Sequence, residues 1–327
     1  MNEGARAFCE SLGIEVPLIC GAMYPCSNPE LVAAVSEAGG IGIVQPLSLV
    51  YVHGHEFRAG MQHIASLTTK PVGLNVIVEK SSKVYLERMR RYTAEAIELG
   101  LRFFVTSLGN PRFVVDMAHE VGGLVYHDVT ERRWAEKALE SGVDGLIAVN
   151  DRAGGHAGGQ SARQLLEELA PLGVPVVAAG GIGAPHDFAE VLAMGYAGAQ
   201  VGTRFIATDE CDAHPDYKRA IIEAGEDDVM LTERITGVPV SILKTPHAER
   251  IGGNAGPLGR FFLTNRRTKH LMRALYSARS VWQLKRSLKR PASSRDYWQA
   301  GKSVAGVVEQ LPAGEVVRRF AGAVAGT

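Results

Sequence analysis

The sequence has no excess of either charge: 35 Lys and Arg stand against 35 Asp and Glu, for a formal net charge of zero. A chain that lived by binding phosphate backbones would carry a basic surplus, so nucleic acid is not an expected partner. No run of about 18 apolar residues occurs, and no segment reads as a membrane span. The four cysteines, Cys9, Cys20, Cys26 and Cys211, form no CxxC pair and no zinc spacing. The opening MNEGARAFCESLGIEVP lacks the basic-then-apolar pattern of an export signal, so the thiols read as reduced groups of a cytoplasmic protein. Two chemical signatures are missing as well. There is no GxSxG elbow for a serine nucleophile and no GxGxxG opening a dinucleotide-binding unit. The histidines do not fall at metal-ligand spacing, and no metal is expected.

Glycine is abundant: 37 of 327 residues, about 11% against about 7% on average. Outside any repeat, that surplus suggests backbone drawn close to a ligand. Hydrophobic residues are 46% and charged residues 21%, an ordinary globular balance. Short apolar runs alternate regularly with helical patterns. Strands are expected at 16–20, 41–45, 71–77, 101–106, 122–127, 144–149, 174–179 and 198–202. Helices are expected at 29–38, 56–67, 83–99, 112–120, 131–141, 161–171, 185–194 and 214–224. The strand runs are apolar on both faces, as a parallel sheet covered by helices requires. Pro29 and Pro185 sit in first turns, while Gly100, Gly142, Gly173 and Gly195 follow helix ends. The pattern points to a (β/α)8 TIM barrel, with a doubly wound open sheet as the alternative.

Beyond residue 213 the character changes. An acidic stretch runs from Asp209 to Glu233, and residues 266–290 hold nine Lys and Arg with no Asp or Glu. The expected organisation is a barrel of residues 1–213 and 296–327, with 214–295 a mostly helical insertion, or lid, over the barrel mouth. The basic segment reads as a solvated helix face, as a surface steering anionic ligands, or as a membrane-surface helix.

In such a barrel the ligand sits over the C-terminal ends of the strands. Several loops there are glycine-rich: Gly21-Ala22-Met23 after strand 1, residues 152–159 after strand 6, Gly180 to Gly183 after strand 7, and Gly202-Thr203 after strand 8. Gly180, Gly181, Gly202 and Thr203 suit a phosphate, because small residues let backbone N–H groups reach its oxygens. For any one of these glycines a tight turn is the better explanation, and it is the two loops together that point to a phosphate. His156 lies among glycines past strand 6, placed to move a proton near neutral pH or to serve as one more surface or core histidine. Asn75, His127 and Asp128 are candidates to face the mouth, or to be satisfied within the barrel wall.

The segments PLICGAM (17–23), GLNV (73–76), AGGHAGG (153–159), VPVVAAGGIG (174–183) and AQVGTRFIAT (199–208) together resemble the nitronate monooxygenase family. These are FMN-dependent TIM barrels, a group that also includes flavin enoyl-ACP reductases. The tail QAGKSVAGVVEQLP at 299–312 resembles the family's returning segment. The resemblance implies FMN, with Gly21, Ala22 and Met23 along its ring, Asn75 hydrogen-bonded to it, and Gly180, Gly181, Gly202 and Thr203 at its phosphate. Asp128 and Gly158 join the cofactor-binding set, and His156 is the implied catalytic histidine. The chain departs from the pattern at His127-Asp128, where relatives carry Lys or Gln, and at Lys302, where a neutral polar residue is expected. The implied activity is oxidation of alkyl nitronates by O2 to a carbonyl compound and nitrite. The alternative is an NAD(P)H-dependent reductase acting on a quinone or enoyl thioester, and a third reading is a ligand-binding barrel without redox turnover. An oligomer is compatible with all three.

Overall fold

The computed structural model describes residues 1–79, 83–234, 239–253 and 297–325. Eight parallel strands follow one another round a closed barrel: β1 (Leu18–Cys20), β2 (Ile41–Val44), β3 (Val72–Ile77), β4 (Phe103–Ser107), β5 (Leu124–Val129), β6 (Gly145–Val149), β7 (Val176–Ala179) and β8 (Gly198–Val201). Closure comes from β8 pairing with β1, Leu18 opposite Ala199 and Cys20 opposite Val201, which excludes the open sheet. The helices are α1 (Glu3–Leu12), α2 (Pro29–Glu37), α3 (Phe57–Leu67), α4 (Lys83–Glu98), α5 (Arg112–His119), α6 (Arg132–Leu139), α7 (Ala162–Leu169), α8 (Pro185–Met194), the short α9 (Thr203–Ile206), α10 (Pro215–Glu223), α11 (Pro246–Ile251) and α12 (Ala313–Ala325). Helix α12 packs between α8 and α2, where Phe320 stacks on Phe188 with ring centroids 5.4 Å apart. Residues from beyond the insertion therefore supply the last helix of the ring around the barrel.

Alternation along each strand separates two apolar layers. Phe104, Val125, Leu146, Val176 and Ala178 face the helices, whereas Ile19, Ile43, Phe103, Tyr126, Ile147 and Val177 fill the barrel. Helix α1, which the strand–helix pattern does not anticipate, seals the lower end by burying Phe8, Cys9 and Leu12 in the interior layer. Asn2 caps its start, accepting from the Ala5 N–H, and Gly13 closes it in the left-handed region. Phe8, Phe103 and Tyr126 meet at centroid distances of 5.7 and 5.3 Å. Glycine makes room for them: a methyl group on Gly145 would lie 2.4 Å from the Tyr126 ring.

The described part of the insertion contains, besides α10 and α11, an antiparallel hairpin of β9 (Val229–Thr232) and β10 (Val240–Leu243) that the helical expectation did not include. Strand β10 is wedged between the loop after β6 and the returning segment, through single bridges of Ser241 with Gly155 and Ile242 with Gln299. The basic segment 266–290 lies outside the described residues. Among those described, no helix is long and apolar enough to cross a membrane.

Candidate active site

Two residues beyond an interior position on the same strand, the side chain faces inward again, one level nearer the C-terminal mouth. On β3 this step goes from Gly73 to Asn75, on β5 from Tyr126 to Asp128, on β8 from Gly198 to Gln200, and on β1 from Ile19 to Gly21. The floor of the mouth is thus polar on three walls, above an aromatic plug. Asn75 and Asp128 stand where the sequence reading sought them. Gln200 was missed, although a lone amide in the apolar run GAQV, in phase with Gly198, is a readable signal. The Gln200 amide lies close enough to the Asp128 carboxyl to favour its charged form. Gly21 leaves it space, since a methyl group there would lie 2.9 Å from Gln200 Cγ.

The same alternation turns His127 away from the mouth. Its Nδ1 lies 2.8 Å from Thr106 Oγ1 in the layer between barrel and helices, and burial holds the imidazole down at about 4. Asp128 behaves in the opposite sense: burial pushes its carboxyl up to about 7, against the lowering influence of the Gln200 amide. Its Oδ1 and the Oε1 of Gln200 are both buried without a hydrogen-bond partner among the described residues.

The loop after β6 is a narrow excursion closed at its base, where the Asp151 N–H donates to Gln160 O at 2.9 Å and the Gly158 N–H to Asn150 O at 3.1 Å. Gly158 is required by that closure, because a methyl group there would lie 2.3 Å from Val149 O. His156 is carried near the tip, and the Gly155 carbonyl beside it accepts from the Ser241 N–H of β10 at 2.8 Å. Solvent reaches the His156 side chain, yet the protein crowded round it lowers its pKa below the ordinary value of 6.5. The imidazole is therefore mainly neutral at pH 7 and suited to accept a proton.

Asn150, 1% exposed, ties this loop to the next. Its Nδ2 donates to Gly180 O at 3.0 Å and its Oδ1 accepts from the Arg152 N–H at 2.8 Å. Gly180 and Gly181 have φ of +115° and +79°, conformations that turn the chain sharply after β7. Thr203 Oγ1 accepts from the Gly301 N–H at 3.0 Å and keeps its own hydrogen to donate. A methyl group on Gly202 would lie 3.4 Å from Met23 Sδ, so the loops after β1 and β8 also adjoin. Ala22 packs on the top of the interior layer.

The glycine surplus serves chain-on-chain contact more than the sequence alone suggests. Methyl groups on Gly183 and Gly301 would lie 2.0 Å from Ser303 O and 2.5 Å from the Gly154 nitrogen. Lys302 donates its backbone N–H to Arg152 O at 3.0 Å. Its charge helps hold the Glu226 carboxyl low, beside the Arg152–Glu226 ion pair.

A closed (β/α)8 barrel with a polar floor, a histidine loop and glycine turns at one mouth defines an enzyme with its site at the strand C-termini. The chain belongs to the nitronate monooxygenase family, whose model matches residues 6–311, and it is an oxidoreductase. Similar proteins include an octahydroindene-carboxyl-CoA dehydrogenase of Mycobacterium tuberculosis, 28% identical, covering 74% of this chain and 67% of that one. A nitronate monooxygenase of Paraburkholderia phytofirmans is 25% identical, covering 72% and 75%. Among solved structures, FabK from Thermotoga maritima superposes with a TM-score of 0.80 at 26% identity, covering 98% of this chain and 96% of that one. A nitroalkane oxidase from Streptomyces ansochromogenes shares the fold, with a TM-score of 0.75 at 24% identity and 98% of each chain covered.

Proposed function

We propose that the protein binds FMN and oxidises alkyl nitronates with O2, giving a carbonyl compound and nitrite. The observation that carries this reading is the placement of a neutral, solvent-reached His156 over a mouth with unpartnered polar atoms, in a chain of this family. The residues present fit a flavin. Asp128 Oδ1 and Gln200 Oε1 lack partners among the described residues, and Gly180, Gly181 and Gly202 carry no side chain beyond hydrogen. Gly180, Gly181, Gly202 and Thr203 hold the phosphate through backbone N–H groups and the threonine hydroxyl. Gly21, Ala22, Met23 and Asn75 contact the ring, and Gly158 keeps the histidine loop narrow. Bound FMN supplies the electron transfer and the reaction with O2.

His156 takes the proton from the carbon beside the nitro group of a neutral nitroalkane, or, once protonated, hydrogen-bonds the nitro oxygens of a nitronate. The insertion, residues 214–295, is assigned as a lid unit over the barrel of 1–213 and 296–327. Four unpaired thiols suit the cytoplasm as location.

A second reading is reduction of FMN by NAD(P)H with a thioester or quinone as acceptor. The naming of a similar protein as a carboxyl-CoA dehydrogenase favours the thioester. One experiment separates the two. The flavin-loaded protein is mixed anaerobically with a nitronate, then separately with NADH or NADPH, while flavin absorbance is followed. Changes with the nitronate, and oxygen uptake once air returns, are the expected result. Rapid bleaching by the nicotinamide with no response to nitronate would overturn the proposal in favour of the reductase.

A further inference from the structure

Asp128 and Gln200 reach the floor of the mouth from different strands, β5 and β8, and the Gln200 amide lies close enough to the Asp128 carboxyl to influence it. Each keeps one buried oxygen, Oδ1 and Oε1, that no donor among the described residues meets. An ionised carboxylate offers about four acceptor sites, and among the described residues the neutral Gln200 amide is the side chain brought near it. A buried ion so poorly matched is costly, whereas the neutral acid has an O–H to give. Among the described residues no cation compensates: burial and the Gln200 amide are the influences acting on the carboxyl. The interior neighbours agree. Tyr126, one level below on the same strand, is itself held neutral by burial, and Asp128 pairs in register with Ile147 of β6. Asn75 of β3 is uncharged, His127 faces the helix layer, and His156 in the loop after β6 is mainly neutral.

We infer that Asp128 works as the neutral acid, donating a hydrogen bond from its carboxyl to an acceptor on the cofactor ring, while Gln200 orients it and accepts from an adjacent N–H of that ring. The pair thus asks for a ring edge on which acceptor and donor alternate, as the pyrimidinedione part of a flavin provides. The inference rests on the reading of this mouth as a flavin site. A neutral donor tolerates negative charge on a reduced ring, and a carboxylate opposes it.

The test is FMN affinity against pH, read by quenching of flavin fluorescence on full-length protein freed of flavin. Asp128→Asn keeps the shape and a donor but cannot ionise, so it is the reference that cancels titration of the cofactor's own phosphate. The ratio of wild-type to Asp128→Asn dissociation constants is expected to rise about 30-fold between pH 6 and 8.5, approaching tenfold per pH unit above neutrality. A flat ratio would overturn the inference, as would an Asp128→Asn protein binding tenfold more tightly than wild type at pH 6. Should the variant fail to fold, the wild-type series carries the test, and Gln200→Leu gives a second reading through a loss of about tenfold at pH 6. A wild-type protein that binds no FMN at any pH removes the flavin reading itself, whereas a bound but pH-indifferent flavin removes this inference alone.

Discussion

Replacing Gly180 with alanine tests whether the turn after β7 is held by its neighbours or merely passes near a ligand. At φ of +115° an L residue is strained by about 1–3 kcal/mol. The added methyl would also lie 2.2 Å from Asn150 Oδ1 and 2.6 Å from the Ala153 nitrogen. Asn150 cannot swing aside without releasing its bonds to Gly180 O and the Arg152 N–H, and Ala153 N belongs to the backbone. Overpacking of this kind adds roughly 1–3 kcal/mol, giving a total loss of about 2–6 kcal/mol. With an unfolding entropy near 2 cal/mol/K per residue, a chain of 327 residues loses about 1.5 °C of Tm per kcal/mol, so a fall of about 3–9 °C is expected. Displacing the loops after β6 and β7 should also weaken FMN at least tenfold. The assays are thermal melting by circular dichroism and flavin titration, with Gly159→Ala as control. A methyl on Gly159 meets nothing within 4 Å, so a change under about 0.5 kcal/mol is expected there. A Gly180→Ala protein melting within 1 °C of wild type, with its flavin affinity intact, would refute the reasoning.

Four further outcomes follow from the site and its surroundings. His156→Ala should lower oxidation of a neutral nitroalkane by about 100-fold or more while sparing NADH oxidation; equal loss of both activities sinks the assignment. Because crowding lowers the His156 pKa, wild-type turnover of a neutral nitroalkane should fall to half its plateau only below pH 6.5, and a midpoint above that would count against His156 as the base. His127 is neutral and buried with its pKa depressed to about 4, so the folded state binds fewer protons than the unfolded chain; its contribution is complete above about pH 6.5 and is lost as pH falls toward 4. His127→Gln should therefore flatten the acid limb of the stability profile by up to about 3 kcal/mol in urea titrations, and an unchanged limb would count against it. Arg152 and Glu226 are each about 40% exposed, so Glu226→Gln should cost under about 1 kcal/mol at pH 7. Since Arg152 lowers the Glu226 pKa, that difference is present above the ordinary carboxylate range and vanishes in acid, a trend urea midpoints at pH 7 and pH 3 would check.

The eight barrel strands were legible because each is apolar on both faces, and a parallel sheet under helices leaves no other solution. Helix α1 escaped that logic, since no strand precedes it. Its signals were nonetheless present, in the Asn2 cap, the Ala5, Phe8, Cys9 and Leu12 spacing, and Gly13. The hairpin could not be read in this way. Val229–Thr232 is half-exposed and becomes a strand through its pairing with Val240–Leu243, which is itself held by Gly155 and Gln299, partners distant in sequence. At the candidate site, which loops stand at the strand C-termini was legible, but which way each side chain pointed was not. Strand β5 runs to Val129 rather than ending at His127, and inward facing is set by Tyr126 below. With a side-chain period of two, that phase sends Asp128 inward and His127 outward.

The glycines show how fold and site share one cause. A loop that holds a phosphate by backbone N–H groups must present them in a fixed array, and fixing a loop ordinarily takes side chains that would fill the cradle. Here the loops are fixed by backbone pressed on backbone. The turn after β7 is backed by Ser303 and Gly306, the loop after β6 by Gly301, and Thr203 by the Gly301 N–H. The returning segment at 301–306 thus braces these loops through its backbone, and Thr203 is the one residue of the proposed phosphate set that carries a side chain. Such bracing lowers the entropy that ligand binding must remove, because the loops are already ordered. The same close approach makes these positions intolerant of any Cβ. A cluster of glycines in the sequence therefore marks the mouth correctly, but the atoms that require most of them belong to the protein.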